Sequence, residues 1–320
     1  MKPDRMLNTQ PQGGMLTGSS GDSMELALKN GAYSAKIDPL GAQLISFRDD
    51  KGTEYIWQRD PEIWAKSSPL LFPIVGAARD GRLLIDGKYY PMEKHGFCKD
   101  RVFTVSEQTA HSAVLSLTDD ERTRQSYPYH FRLSLRYTLS ATGLLSFLYR
   151  VQNTGARELF YCIGAHPGFR CPLQKDRSFT DYSLFFEKEE DTASVVYDAE
   201  KACFVPEERG VILNHTKELS LAHSLFARDA VYFDRIRSRA VSLLDRERGC
   251  GVRVAFPDFE TAAFWTAYPA EASFLCIEPW NGSAYVQGED DALCHKNHVQ
   301  KLLPGAEKIY RLEIELIKGR

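Results

Sequence analysis

Three short strings each fix an ionisable side chain in an unusual backbone frame. Tyr161-Cys162-Ile163-Gly164-Ala165-His166-Pro167-Gly168-Phe169 runs an apolar strand straight into a histidine and then Pro-Gly. Proline pushes the preceding residue into extended geometry and ends the strand, so His166 is held on rigid backbone among small neighbours that leave room for a ligand. A histidine that merely ends a turn is the alternative, and residue types alone leave both open. Phe274-Leu275-Cys276-Ile277-Glu278-Pro279-Trp280-Asn281-Gly282 repeats the device with a glutamate. A carboxyl ending so apolar a run loses hydration of its charged form, which raises its pKa toward the range of a general base. The plainer reading is a partly exposed strand-end carboxylate; function outweighs it, because burying an unpaired carboxylate is costly. Trp280 offers a flat apolar face of the kind on which sugar C–H groups pack. Glu93-Lys94-His95-Gly96-Phe97 sets a third ionisable group beside a glycine that permits a sharp turn, although by type His95 reads first as a loop histidine.

Other chemistries find less support. His95, His166 and Glu278 are far apart in sequence and no H-x-H or H-E-x-x-H occurs, so no metal is expected. His295 and His298, at i and i+3 around Lys296, read as a solvated loop. No G-x-S-x-G elbow points to a serine nucleophile. The seven cysteines are odd in number and include no C-x-x-C, which argues against a disulfide framework and for a reducing compartment, the cytoplasm. Cys98, Cys162 and Cys276 sit among apolar or small residues and read as small hydrophobes. A formal net charge of −3, from 43 acids and 40 bases, favours neither nucleic acid nor an anionic membrane as partner. No run approaches the ~20 apolar residues of a membrane-spanning helix. Nothing in the sequence indicates an oligomeric state.

The elements that must hold these groups are strands. From Met24 onward the dominant period is two, most clearly in FRLSLRYTL at 131–139, where apolar and polar residues alternate. Ala141-Thr142-Gly143 then turns the chain into a second β-rich run at 144–151, an antiparallel hairpin. Similar short runs recur at 42–47, 101–106, 112–118, 158–163, 179–187, 241–245, 252–256, 261–266, 272–277 and 308–317, and Arg82–Tyr90 forms a hairpin with Asp86-Gly87 at its tip. Short helices are expected at 60–66 and 219–227. The class is all-β: one large antiparallel β-sandwich over residues 24–320. Residues 1–23, rich in Gly, Ser, Gln and Pro, read as a disordered leader.

The order H-G-F, G-A-H-P-G-F, C-I-E-P-W, closed by Leu302-Leu303-Pro304-Gly305, resembles the aldose 1-epimerase (galactose mutarotase-like) family, and more narrowly its short bacterial LacX-like branch. Gly41-Ala42-Gln43-Leu44, Glu54-Tyr55-Ile56-Trp57 and Pro69-Leu70-Leu71-Phe72-Pro73-Ile74-Val75-Gly76 fit it too. The resemblance implies a large antiparallel sandwich and interconversion of the α and β anomers of a free aldose. It implies that Glu278 is the base at the anomeric hydroxyl, His166 the acid at the ring oxygen, and His95 a hydrogen-bonding partner of the sugar. Asp229 falls where the family often places an acceptor for sugar hydroxyls. Glu278 would rest ionised and His166 protonated. No cofactor is implied, since no electron moves and no group is transferred. The family usually carries Arg directly after this Val-Gly; here that residue is Ala77, and Arg79 is the nearest substitute.

Two alternatives accompany this reading. One is a non-catalytic carbohydrate-binding or sensing module on the same fold. The other is a hexose-6-phosphate 1-epimerase, which needs basic residues at the site rim; Arg79, Arg82, Lys99 and Arg101 are near in sequence. The leader has no apolar pattern that could dock on a core, so a chain beginning at Met24 is expected to keep its melting temperature and activity. Loss of several degrees on truncation would show that residues 1–23 pack on the domain.

Overall fold

A computed structural model describes residues 25–319. The leader at 1–23 lies outside the described residues. The chain builds a 15-stranded sheet with smaller sheets of three, two and two strands. Pairings within the large sheet are antiparallel, as the hairpin-rich sequence requires. The 131–139 run is the strand Phe131–Leu139, with Phe131, Leu133, Leu135, Tyr137 and Leu139 all buried. It pairs with Leu144–Asn153 from Leu145↔Leu139 through Asn153↔Phe131.

The large sheet curls over itself. Its order begins at Leu70–Leu71 and ends at Thr104–Gln108. Yet Phe72, directly after the first strand, packs 5.2 Å from Phe131, whose strand lies near the opposite end. Phe72 also meets Tyr127 and Tyr161 at 5.8 and 5.7 Å. The apolar faces of distant strands therefore close on one another, as in a sandwich, and enclose one large core.

Several local expectations give way to context. The run expected at 179–187 extends as Tyr182–Asp198 and pairs with Cys203–Ser220, a long hairpin. Repeated register shifts interrupt its alternation, so the period of two fades where bulges insert residues. No helix forms at 60–66; the Asp60 carbonyl accepts from Ile63 and Trp64 N–H in a single turn. At 219–227 the strand continues to Ser220 and only His223–Phe226 makes a 3₁₀ turn. An α-helix instead occupies Glu121–Ser126. Asp120 accepts the Thr123 N–H at 2.7 Å while Thr123 Oγ1 accepts the Asp120 N–H at 2.8 Å, a reciprocal cap on a helix too short to show a period. Six cysteines are buried and only Cys294 is exposed; all are free thiols.

Phe72 carries the closure contact and is fully buried. Phe72→Ala is expected to cost about 3–5 kcal/mol of folding stability, measured by urea unfolding. A cost below about 1 kcal/mol would mean the two ends of the sheet do not depend on this ring.

Candidate active site

The strand Phe274–Asn281 is buried at all eight positions, because other layers cover both of its faces. Thr261–Trp265 flanks it on one side, with Ala263 opposite Glu278. On the other side runs a segment broken in two, Ile163–Ala165 and Gly168–Arg170. The break falls at His166-Pro167. Pro167 has no N–H for the ladder, but its carbonyl accepts from Ile277 N–H at 3.2 Å and keeps the segment against the strand. His166 thereby turns to Glu278, with Nε2 3.1 Å from Oε2. The two residues are 7% and 1% exposed, so the pair is nearly dry.

His95 approaches from a separate turn. Its φ is +66° and that of Gly96 is +72°, successive left-handed residues that glycine makes affordable. Gly96 is also required for space, since a Cβ there would lie 2.1 Å from the Phe72 carbonyl oxygen. The His95 N–H donates to the Gly76 carbonyl at 2.7 Å, and the Gly76 N–H donates to His95 Nδ1 at 3.0 Å. A ring whose Nδ1 accepts must, when neutral, carry its proton on Nε2. His95 is therefore preset as an Nε2–H donor, with its ring 5.6 Å from that of His166 and 6.1 Å from that of Trp280.

Aromatic rings wall the pair. Trp64 stacks on His166 at 5.0 Å and Trp265 meets it edge-on at 5.9 Å. Trp280 lies over Gly164, where a Cβ would come within 2.6 Å of its Cδ1. Together with Tyr197 and Phe204 they line a cleft of about 300 Å³ that also contains His95, His166, Glu278 and Asp229. His166 Nδ1 and Trp280 Nε1 are buried without a hydrogen-bond partner. Such atoms usually wait for a polar ligand or water.

Burial dominates the electrostatics. It raises the Glu278 carboxyl well above the usual range; the Asp229 carboxylate raises it further, while Lys94 and the nearby Trp280 Nε1–H, which makes no hydrogen bond of standard geometry, pull it down. Burial lowers His166 to about 3, its own backbone opposes the shift in part, and Lys94 adds to the lowering. His95 is also pushed well below its ordinary value by burial, then by His166, Lys94 and Lys99. Both shifts run against the expected Glu278 carboxylate and His166 imidazolium. Each charge would be buried in a dry wall, so the favoured form is a neutral pair with the shared proton on Glu278.

Five of the six residues singled out in the sequence, His95, His166, Asp229, Glu278 and Trp280, share this cleft. Arg79 does not. Asp291 holds its guanidinium at 2.6 Å and Tyr285 Oη accepts from it at 3.3 Å, away from the cleft. Arg82 is likewise occupied, lying 4.5 Å over the Tyr89 ring. Of the four bases expected at the rim only Lys99 lines the cleft, and Lys66 and Lys94 join it. Lys94 had a local signal too, lying beside His95. Trp265, Tyr197 and Phe204 had none, because an aromatic residue in a strand reads as core until its neighbours are known, and Trp64, in the turn after Asp60, carried no signal either.

Comparison with known proteins identifies the family. A family model described as aldose 1-epimerase matches residues 24–288. Protein LacX of Lactococcus lactis subsp. lactis, in plasmid and chromosomal forms, is 34% identical over 286 residues, covering 88% of this chain and 95% of that protein. Among solved structures, a galactose mutarotase related enzyme from Lactobacillus acidophilus superposes with a TM-score of 0.87 at 28% identity, over 92% of this chain and 97% of the other. A galactose mutarotase-like protein from Lactobacillus casei gives 0.85 at 26% identity, over 92% and 100%. No described helix is long and apolar enough to cross a membrane. The ordered histidine, histidine and glutamate strings, their convergence on one cleft and a family match over most of the chain lead to one assignment: the chain belongs to the aldose 1-epimerase family.

Proposed function

We propose that the protein is an isomerase that interconverts the α and β anomers of a free hexose. The observation that carries this reading is the buried Glu278–His166 pair, 3.1 Å apart, in a small cleft walled by tryptophan. The cleft volume of about 300 Å³ is at the lower end for small-ligand sites. Trp280 receives the apolar face of the sugar ring. His95 Nε2–H donates to one sugar oxygen, and Asp229 accepts from a hydroxyl.

Mutarotation needs one group to take the anomeric proton while another protonates the ring oxygen. Glu278 takes the proton from O1 and His166 gives one to O5. The C1–O5 bond breaks and C1=O forms. Rotation about C1–C2 and the reverse transfers close the ring on the other face. After opening, the pair is GluH and neutral imidazole, the form that burial favours. The cyclic sugar reacts with the carboxylate–imidazolium form, reached when the shared proton crosses the 3.1 Å hydrogen bond. The positive charge of Lys94 favours that carboxylate. Atoms and charges balance within the pair and the sugar, so no electron carrier is called for.

Because both forms hold the same number of protons, activity follows the macroscopic titration of the pair. Rate is lost on the acid side only when a second proton enters, which the depressed His166, at about 3, resists. It is lost on the alkaline side when the shared proton leaves. kcat/KM for anomerisation of fresh α-D-glucose or α-D-galactose, followed by polarimetry, should therefore show no step at about pH 6.5, where a free imidazole titrates, and should fall only on the alkaline side, where the raised Glu278 carboxyl loses the shared proton. A rate that rises with pH through about 6.5, the value of a free imidazole, would contradict this.

Glu278→Gln keeps the size but cannot accept a proton, and should lower kcat by roughly 100-fold or more. His166→Asn should do the same, with the double variant little worse than either alone, because the two act as one unit. Near-full activity in folded Glu278→Gln would sink the assignment. A wild type with no activity that still binds hexose would favour the carbohydrate-binding or sensing reading.

The lysines lend specific support to a second reading, a hexose 6-phosphate as substrate. Lys66, Lys94 and Lys99 line the cleft, whereas Arg79, Arg82 and Arg101 do not. Each lysine already has a carboxylate: Lys66 and Lys99 share Asp100, Lys99 also meets Glu93 at 3.1 Å, and Lys94 lies 3.6 Å from Asp229. A phosphate must compete with these, so the free hexose is expected to be the better substrate. If glucose 6-phosphate is turned over faster, and Lys66→Met or Lys99→Met cuts that rate by roughly 10–100-fold while sparing glucose, the phosphorylated substrate is the correct one.

A further inference from the structure

One buried nucleophile beside the pair has no part in proton transfer. Cys276 lies two positions before Glu278 on the strand Phe274–Asn281, so its side chain projects to the same face. It is fully buried beside Phe274, Trp57 and Trp64. One ligand atom each from His166, Cys276 and Glu278 lie within 4.8 Å of one another, and all three residues are buried. In a tetrahedral site with metal–nitrogen, –oxygen and –sulfur bonds of about 2.0–2.3 Å, ligand atoms stand about 3.3–3.6 Å apart. His166 Nε2 and Glu278 Oε2 already stand 3.1 Å apart. The thiol needs to close by at most about 1.5 Å to complete the set.

We propose that His166, Cys276 and Glu278 form a binding site for one thiophilic divalent cation, Zn²⁺ or Cd²⁺, entered through the sugar cleft. Nitrogen, thiolate and carboxylate donors suit such an ion. Binding releases the thiol proton and the carboxyl proton to water, and the two resulting anions cancel the charge of the metal. No net charge is then buried, which a two-histidine or all-neutral donor set would not achieve. His166 Nδ1 is buried and makes no hydrogen bond of standard geometry, so Nε2, already turned to Glu278, is the ring's ligand atom. The fourth position opens to the cleft, where water or a sugar oxygen completes the shell. The ion occupies the two atoms that must handle protons, His166 Nε2 and a Glu278 oxygen, so it acts as an inhibitor competing with the sugar. Its inhibitory effect rests on the proposed mutarotase reading; its binding does not.

Binding and inhibition are therefore measured separately. Titration of the chelator-treated protein with Cd²⁺ should give a thiolate-to-cadmium charge-transfer band in the ultraviolet, saturating at one ion per chain. Cys294, the only exposed thiol, is the competing source. The band should survive in Cys294→Ser and disappear in Cys276→Ala, and in Cys276→Ser should the alanine variant prove unstable. Zn²⁺ should abolish mutarotation in the wild type, EDTA should restore it, and loss of Cys276 should weaken the inhibition by more than about 100-fold. A band that disappears with Cys294→Ser, no band at all in the wild type, or inhibition indifferent to Cys276 would overturn the site. A Cys276-dependent band in a protein without mutarotase activity would uphold the metal site and reject the catalytic reading.

Discussion

A carboxyl and an imidazole 3.1 Å apart, closed in by tryptophans, cannot choose their charges independently. Either charge alone would be buried with little water to stabilise it, so one proton is held between them. This constraint explains why ordinary values for glutamate and histidine do not apply, and why burial, Asp229 and Lys94 all bear on the same proton. It also lets one pair give and take protons without importing a third group. Cys276, just behind, adds a soft donor to the same small volume.

The fold makes this possible by burying a strand on both faces. Phe274–Asn281 lies between two neighbours, and the neighbour that carries His166 is interrupted by Pro167. The interruption breaks the ladder at His166, and its imidazole meets Glu278 on the neighbouring strand. Small residues clear the space: Ala263 opposite Glu278 and Gly164 beneath Trp280. The curled sheet, closed by Phe72 against Phe131, Tyr127 and Tyr161, also fixes the Gly96 turn, because Gly96 packs on the Phe72 carbonyl. His95 is thus tied to the core by the residue that closes the sandwich.

Much of this was legible in the sequence. Alternation exposed the strands that face water on one side, and Phe131–Leu139 and its hairpin were found with their turn. Proline marked His166 and Glu278 because its effect is local and independent of the partner strand. What failed was set by tertiary context. The Tyr182–Asp198 strand lost its period to bulges, and the turn at 60–66 presented apolar spacing without helical continuation. Arg79 looked available because it sits two residues from the expected position, but Asp291, more than two hundred residues away, takes its charge. The lysines that reach the cleft come from separate turns, and no spacing rule connects them. The neutral form of the pair was not legible for the same reason: each residue suggested a charge, and only their common burial disfavours both.

The location of the shared proton can be observed directly. Infrared difference spectra between the wild type and Glu278→Gln, recorded at neutral pH without sugar, isolate the Glu278 carboxyl. A neutral pair predicts the C=O stretch of a protonated carboxylic acid, present in the wild type and absent from the variant. A carboxylate signature in its place, with no acid band, would show that the pair rests as separated charges and would contradict the dominance of burial.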